Sequence, residues 1–135
     1  MLATRNRLRT ATAFSTSVRS GVRNGRRNVV LYAAAIAADE PSRIGFIVSK
    51  SVGNAVVRNL VKRRLREAGA ASLREYGTGF AIVVRALPAS ASASWEQLLS
   101  DYNAALESTM ARMAGRSRAA ANGSAGTTQE GTPRA

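Results

Sequence analysis

The stretch "SKSVGNAVVRNLVKRRLREA", residues 49–68, holds six Lys and Arg residues and is the most informative part of the sequence. At about 100° per residue its apolar side chains form one stripe with Leu60 on the flank, and most of its cations lie opposite. The stripe comprises Val57, Val61, Leu65 and Ala68, and the opposite side holds Arg58, Asn59, Lys62, Arg63 and Arg66. We therefore predict an amphipathic helix that docks on a core and turns a cationic face outward. Gly53 and Asn54 suit its start, because Asn can cap free amides and Gly permits a tight entry.

Three interpretations fit such a face: a binding surface, a solvated helix face or a localisation signal. A solvated face usually mixes charge signs at four-residue spacing, whereas Arg58, Lys62 and Arg66 are like charges at that spacing. Each such pair costs a few tenths of a kcal/mol in a free helix. A localisation signal is usually accessible and flexible, which the apolar stripe argues against. The pattern favours a surface that binds phosphate.

Composition limits the class of protein. The chain has 135 residues, of which 45% are hydrophobic, which suits one compact domain. No apolar run reaches the roughly 18 to 20 residues of a membrane-spanning helix. Cysteine is absent, so disulfides, thiol nucleophiles and thiolate metal sites are excluded.

The net charge of +12 is unevenly distributed. Residues 1–66 contain fourteen Lys and Arg and two acids, whereas residues 67–135 contain six of each. Cations that neutralise phosphates release counterions and gain affinity without any sequence code. Nucleic acid is therefore the favoured partner, and an anionic membrane surface is the lesser alternative.

The sequence offers no catalytic set of its own. It contains no histidine, and the two acids of the basic half, Asp39 and Glu40, are adjacent. Followed by Pro41 and Ser42, they are typical of a hairpin turn and not of a two-metal site. We predict no catalytic residues and no metal ligands in this chain.

The predicted elements follow hydrophobic periodicity. Residues 28–38 and 43–50 are expected to be strands paired through the turn at 39–42, and an edge strand at 21–27 is weakly indicated. Residues 80–86 are typical of a buried central strand, and the intervening helix implies parallel pairing. A final helix is expected to start at a capping box of Ser94 and Gln97 and to bury Trp95 and Tyr102 in the core. From Gly115 onward the composition predicts a disordered tail.

The first 27 residues are rich in Arg, Ser and Thr and contain no acid. This composition is typical of a mitochondrial transit peptide. A short helical pattern at 12–19, with Phe14 and Val18 on one face and Gly21 after it, favours a folded segment instead.

Residues 49–68 closely resemble the signature of the bacterial ribonuclease P protein subunit. The resemblance lies in a Ser-Lys strand end, a Gly-Asn-Ala turn and a helix that begins near Arg-Asn and continues with Lys-Arg. It extends weakly to "NRLRTATAF", residues 6–14. The family assigns the N-terminal residues to the fold, which argues against the transit peptide.

The resemblance implies an α/β (α+β) two-layer sandwich with a four-stranded sheet. Its element order is helix, three strands, helix, strand, helix, with a left-handed crossover. The domain would span 1–114, with a disordered tail at 115–135.

The resemblance also implies a function. In that family a catalytic RNA removes the 5′ leader from precursor tRNA, and the protein improves binding of the leader and of the metal ions. We therefore expect a cytoplasmic RNA-binding subunit, one per ribonuclease P RNA, with Mg²⁺ held mainly by the RNA and no membrane contact. The alternative is a structural, ribosomal-type RNA-binding protein with no role in cleavage.

The resemblance carries two sets of site residues. Those expected to bind RNA are Lys50, Asn54, Arg58, Asn59, Lys62, Arg63 and Arg66. Those expected to line a leader-binding cleft are Phe14, Val30, Tyr32 and Ile47. Phe14 and Tyr32 could stack on unpaired bases, although plain core packing is the alternative for both.

Three positions depart from the family pattern. Leu60 replaces the second Arg of the Arg-Asn-Arg signature, Ser51 replaces a Lys that often follows Ser-Lys, and Val18 replaces a second aromatic of the cleft. We expect the RNA and leader contacts to differ at these positions from the family norm.

Overall fold

The computed structural model describes residues 21–121, which form a four-stranded sheet and two α-helices. The strands are β1 (Val22–Gly25), β2 (Val29–Ala35), β3 (Arg43–Ile47) and β4 (Phe80–Ala86), and the helices are α1 (Ala55–Glu75) and α2 (Trp95–Ala121). Single turns of 3-10 helix at Lys50–Val52 and Pro88–Ala91 precede the two helices. Neither α-helix of this part of the chain is long and apolar enough to span a membrane. The predicted helix at 12–19 lies outside the described residues.

The sheet order is β1-β2-β4-β3. The parallel pairing of β3 with β4 and the central place of β4 are confirmed, and so is the weakly indicated edge strand β1. The predicted hairpin between β2 and β3 is wrong, because β4 lies between them and pairs antiparallel with β2. The mixed α+β class is confirmed, while the handedness of the crossover remains a prediction.

The segment at 39–42 shows why the hairpin was wrong. The Gly79 amide donates to the Glu40 carbonyl and the Ser42 amide donates to the Gly77 carbonyl, both at 2.9 Å. This segment therefore bonds to the loop that enters β4 and not across a hairpin. The continuous apolar run of β4 is stabilised by a strand neighbour on each side. Because β4 lies between β2 and β3, these two strands do not pair with each other.

The two helices and one face of the sheet enclose the main core. β2 and β4 contribute Leu31, Ile82 and Val84, α1 contributes Val61 and Leu65, and α2 contributes Leu98 and Tyr102, all at most 1% exposed. The opposite sheet face carries a smaller buried cluster of Val30, Tyr32, Ala81 and Val83. The two layers follow from the alternation of side chains along each strand.

α1 begins as the sequence predicts. The Val57 amide donates to the Asn54 Oδ1 at 3.0 Å, which is an N-cap. Gly53 before it has φ 156° and ψ −165°, and a Cβ there would lie 3.0 Å from the Val57 Cγ1. Gly53 is therefore needed for both the conformation and the close approach.

α2 begins at the predicted capping box. The Gln97 amide donates to the Ser94 Oγ at 3.1 Å, and the Ser94 amide donates to the Gln97 Oε1 at 2.9 Å. Farther along, the Asp101 Oδ2 accepts from the backbone and the side-chain amide of Asn28 at 2.9 and 2.8 Å. These bonds fasten α2 to the β1–β2 connection. α2 continues to Ala121, past the predicted start of the tail, and residues 122–135 lie outside the described part.

Candidate nucleic-acid interface

The basic face of α1 comprises Arg58, Asn59, Lys62, Arg63 and Arg66. At about 100° per residue these five span about 140° of the helix circumference, opposite the buried stripe of Val61, Leu65 and Ala68. Asn59, Arg63 and Arg66 are exposed, and Arg58 and Lys62 are half-buried. The predicted amphipathic helix is confirmed, and it brings most of the predicted RNA-binding residues together.

Lys62, Arg63 and Arg66 have no hydrogen-bond or ion-pair partner within residues 21–121. Glu67 is four residues from Arg63, about 40° beyond it around the helix, yet the two do not form an ion pair. The basic face therefore presents several uncompensated charges to solvent. Such a face is suited to an anion with many charges.

Two other arginines of α1 are tied to the backbone. The Arg58 Nε donates to the Gly53 carbonyl at 3.2 Å, which fixes that side chain beside the helix entry. The Arg64 Nη1 donates to the Ala93 carbonyl at 3.1 Å and joins α1 to the segment before α2. Arg58 keeps its remaining N–H donors for a ligand, because a guanidinium has five.

The entry to α1 holds the other predicted RNA-binding residues. Lys50 lies in the 3-10 turn and is exposed, and Asn54 is exposed while its Oδ1 serves as the helix cap. The Oγ atoms of Ser49 and Ser51 are 2.7 Å apart and share a hydrogen bond. Ser51 thus forms a local bond at a position where the resemblance led us to expect a Lys.

Gly69 fixes which side of α1 meets the sheet. A Cβ at Gly69 would lie 2.9 Å from the Phe46 Cζ, so the helix backbone packs closely on β3. Lys62 is seven residues earlier, about two turns, and therefore lies on the same side as Gly69. The basic face runs along the β3 edge of the sheet.

The other face of the sheet, which we call the cleft face, combines apolar side chains with arginines. Strand register aligns Val30 with Arg85 and Arg85 with Ile47 in one row. The adjoining row contains Arg23, Tyr32 and Val83, and a third contains Arg43. Arg23, Arg43 and Arg85 are exposed, and none of the described strand residues on this face is acidic.

The predicted leader residues differ in accessibility. Val30 is buried and Tyr32 is only 8% exposed, whereas Ile47 is half-buried. The Tyr32 ring is therefore part of the floor of this face in the free protein, which agrees with the core-packing alternative. Phe14 lies outside the described residues.

The family model described as Ribonuclease P matches residues 2–110. The chain belongs to the ribonuclease P protein family. Membership gives it the role of RNA-binding subunit of an endoribonuclease that matures tRNA 5′ ends together with a catalytic RNA.

Relatives in this family match most or all of the chain. The ribonuclease P protein component of Pseudarthrobacter chlorophenolicus is 86% identical over the full length of both chains. That of Kocuria rhizophila is 54% identical and covers 84% of this chain and all of its own. The structure of the Staphylococcus aureus RNase P protein is 25% identical, has a TM-score of 0.69 and covers 76% of this chain and 93% of its own.

Sequence reasoning missed the arginines of the cleft face of this ribonuclease P protein. Alternation within residues 80–86 places Arg85 on the same side as Ala81 and Val83, but the neighbours of β4 were not known. Because β2 and β3 were expected to pair directly, the row of Val30, Arg85 and Ile47 could not be recognised. The strand register places the cation Arg85 beside the apolar residues Val30 and Ile47.

The described residues do not suit a metal ion. Within residues 21–121 no three carboxylates come together as a potential metal site, and the sequence has no His or Cys. A hard cation such as Mg²⁺ needs several oxygen ligands in one place. We therefore assign no step of the reaction to a metal held by this part of the chain.

Proposed function

We propose that the chain binds ribonuclease P RNA through the basic face of α1 and the precursor-tRNA 5′ leader through the cleft face of the sheet. The observation that supports this most is the row of uncompensated cations Lys62, Arg63 and Arg66. Arg58, Asn59, Asn54 and Lys50 extend that surface toward the helix entry. The RNA subunit holds Mg²⁺ and carries out the cleavage.

Electrostatics support the assignment of the basic face. Like charges four residues apart destabilise a helix by a few tenths of a kcal/mol each. Phosphates that occupy the face remove this repulsion and release condensed counterions.

The cleft face is suited to binding a single-stranded RNA such as the 5′ leader. Arg85 and Arg23 can neutralise phosphates, while the half-buried Ile47 can contact a base or a ribose. A base stacked on an aromatic ring adds roughly 1 to 3 kcal/mol. Because Tyr32 is buried, it can stack on a base only if leader binding exposes its ring. Arg85 and Ile47 are more accessible and therefore make the first contacts with the leader.

One protein binds one RNA in the cytoplasm, and residues 1–114 form the binding domain. Native mass spectrometry of the complex tests the stoichiometry. A truncation after residue 114 that keeps RNA affinity supports the domain boundary, and one that loses it contradicts the boundary.

Reconstitution tests the function directly. The purified chain is mixed with its cognate ribonuclease P RNA, and cleavage of a precursor tRNA is measured across a Mg²⁺ titration at physiological salt. We expect the protein to lower the Mg²⁺ requirement or to lower the KM for the precursor. Identical curves with and without protein would overturn the proposal.

A further inference from the structure

Val56 and Leu60 stand out on α1 because they are exposed. Val56 is 79% exposed and Leu60 is 37% exposed. Every other large apolar side chain described within residues 21–121 is less exposed than these two. They are four residues apart, so they lie one above the other on the same side of the helix. Together they form a small apolar patch on the outer side of α1.

The fold gives no reason for this patch. Val61, Leu65 and Ala68 belong to the buried core cluster, whereas Val56 and Leu60 are neither part of it nor packed against it. A β-branched Val also has a lower helix propensity than most polar residues that would suit an exposed site. Exposed apolar side chains contribute a favourable free energy only when a partner removes them from water.

A cation borders the patch at Leu60. Arg63 is three residues from Leu60 and borders it, whereas it lies two turns beyond Val56. Glu67, which is exposed, lies one further turn along the same side of the helix. Asn59 and Arg66 continue from Arg63 into the basic face. Any partner that covers the patch must therefore also accept positive charge.

We propose that Val56 and Leu60 contact the uncharged face of a nucleotide, its ribose or base, in ribonuclease P RNA while Arg63 neutralises a neighbouring phosphate. This rests on the proposed function, and it assigns a role to the position where the family's second Arg is replaced. A nucleotide offers an apolar surface next to a negative charge, which matches the patch and its border. Leu60 would therefore make an apolar contact at the position where the second Arg of the signature would bind a phosphate.

A second copy of the chain does not fit the same surface. In a twofold contact the patch of each copy would face the other, and the two Arg63 side chains would approach each other without an anion. Two side chains also offer far less than the roughly 800 Å² per partner of a stable protein interface. Charge and area both favour RNA.

Salt dependence distinguishes an apolar contact from an ionic one. Binding of ribonuclease P RNA is measured between low and physiological salt for the full chain and for Val56→Ala, Leu60→Ala and the double variant. We expect each single variant to bind about three- to tenfold more weakly and the slope of log Kd against log salt to stay unchanged. Leu60→Arg should instead steepen the slope by about one.

Two controls separate this inference from the proposed function. Lys62→Ala removes a cation of the basic face and should reduce the slope by about one. Ala71→Ser changes an exposed position of the same helix away from the basic face and should leave binding unaltered. If Lys62→Ala acts as expected while the two alanine variants bind like the parent chain, the patch does not contact RNA and only this inference fails.

Chemical probing locates the nucleotide. Hydroxyl radicals report ribose exposure and dimethyl sulfate reports base exposure, so the reagent that detects a change in the Leu60→Ala complex distinguishes the two sources. The same nucleotide should become more reactive with Val56→Ala. No change with either reagent overturns the inference, as does sedimentation showing a dimer of the parent chain that the double variant abolishes.

Discussion

The Tyr102 hydroxyl lies 2.8 Å from the Ser72 Oγ and joins α2 to α1 inside the core. The Ser72 Oγ also donates to the Ala68 carbonyl at 3.0 Å, so Tyr102 is the donor in the bond between the two hydroxyls. Tyr102→Phe removes this donor and leaves the Ser72 hydrogen satisfied. We expect the free energy of unfolding to fall by about 1 kcal/mol, measured by urea denaturation. A double-mutant cycle with Ser72→Ala that shows no coupling would contradict this bond.

The same hydroxyl predicts a loss of stability at high pH. Burial raises the pKa of Tyr102 from its ordinary value of 10.0 to about 12, although the Ser72 hydroxyl, which can turn to donate to the phenolate, lowers it in part. Between pH 10 and 12 the unfolded chain releases a proton that the folded protein keeps. Stability should therefore fall through this window, by at most about 1.4 kcal/mol per pH unit, and the fall should be smaller in Tyr102→Phe.

Tyr76 is the control for this pH effect. Burial, and then the charges of Glu75 and Glu107, raise the pKa of Tyr76, but this side chain is much less buried than Tyr102. Tyr76→Phe should remove only a minor part of the pH dependence. If Tyr102→Phe loses stability between pH 10 and 12 as steeply as the parent chain, the buried phenol is not the cause.

Thr109 on α2 is fully buried, and its Oγ1 has no hydrogen-bond partner among the described residues 21–121. Burying a hydroxyl without a partner costs about 1 to 3 kcal/mol. Thr109→Val keeps the shape and removes the hydroxyl, so we expect a gain of about 1 kcal/mol in the free energy of unfolding. Thr78→Val, at an exposed loop position, is the matched control and should change little. A less stable Thr109→Val protein would mean that the hydroxyl is bonded.

Gly69 tests how closely α1 packs on the sheet. A Cβ there would lie 2.9 Å from the Phe46 Cζ and 3.2 Å from the Ile44 Cδ1. Gly69→Ala gains about 1 kcal/mol of helix propensity, but forcing an extra methyl into a packed contact costs about 1 to 3 kcal/mol. We expect a net loss of stability in thermal denaturation.

Gly115 is the matched control for that substitution. It also lies in a helix, and a Cβ there would meet nothing within 4 Å in the part of the chain that the structure describes. Gly115→Ala should therefore stabilise the protein slightly or leave its Tm unchanged. Equal shifts of Tm in the two variants would contradict the close approach at Gly69.

Local signals in the sequence predicted individual elements well. The cap at Asn54, the capping box of Ser94 and Gln97 and the buried stripe of α1 each depend on residues a few positions apart. Such contacts form within one element, so the sequence pattern determines them directly.

The sheet order could not be predicted in the same way. Pairing of β4 with both β2 and β3 joins residues that are far apart in sequence, and period-two alternation does not say which strands are neighbours. The basic face was predictable because it lies within one helix. The role of Arg85 was not, because its row depends on that strand order.

Lys62→Ala tests the basic face without disturbing the fold. Arg58 also bonds to the Gly53 carbonyl, so Arg58→Ala would alter the helix entry as well as the charge, whereas Lys62 has no partner among residues 21–121. We expect the slope of log Kd against log salt for ribonuclease P RNA to fall by about one. An unchanged slope would show that the face is merely solvated.

Substitution of Arg85 should weaken binding of a precursor tRNA that carries a leader, but not binding of a tRNA without one. Arg85 is exposed between Val30 and Ile47, so its guanidinium can reach a leader phosphate while the half-buried Ile47 contacts a base or ribose. Arg85→Ala should weaken binding of a long-leader precursor by the reconstituted complex about three- to tenfold and leave a leaderless tRNA unaffected. Arg74→Ala removes the same charge from the last turn of α1 and should affect both substrates equally. If Arg85→Ala also weakens both equally, Arg85 acts only through net charge and the leader does not cross this row of the sheet.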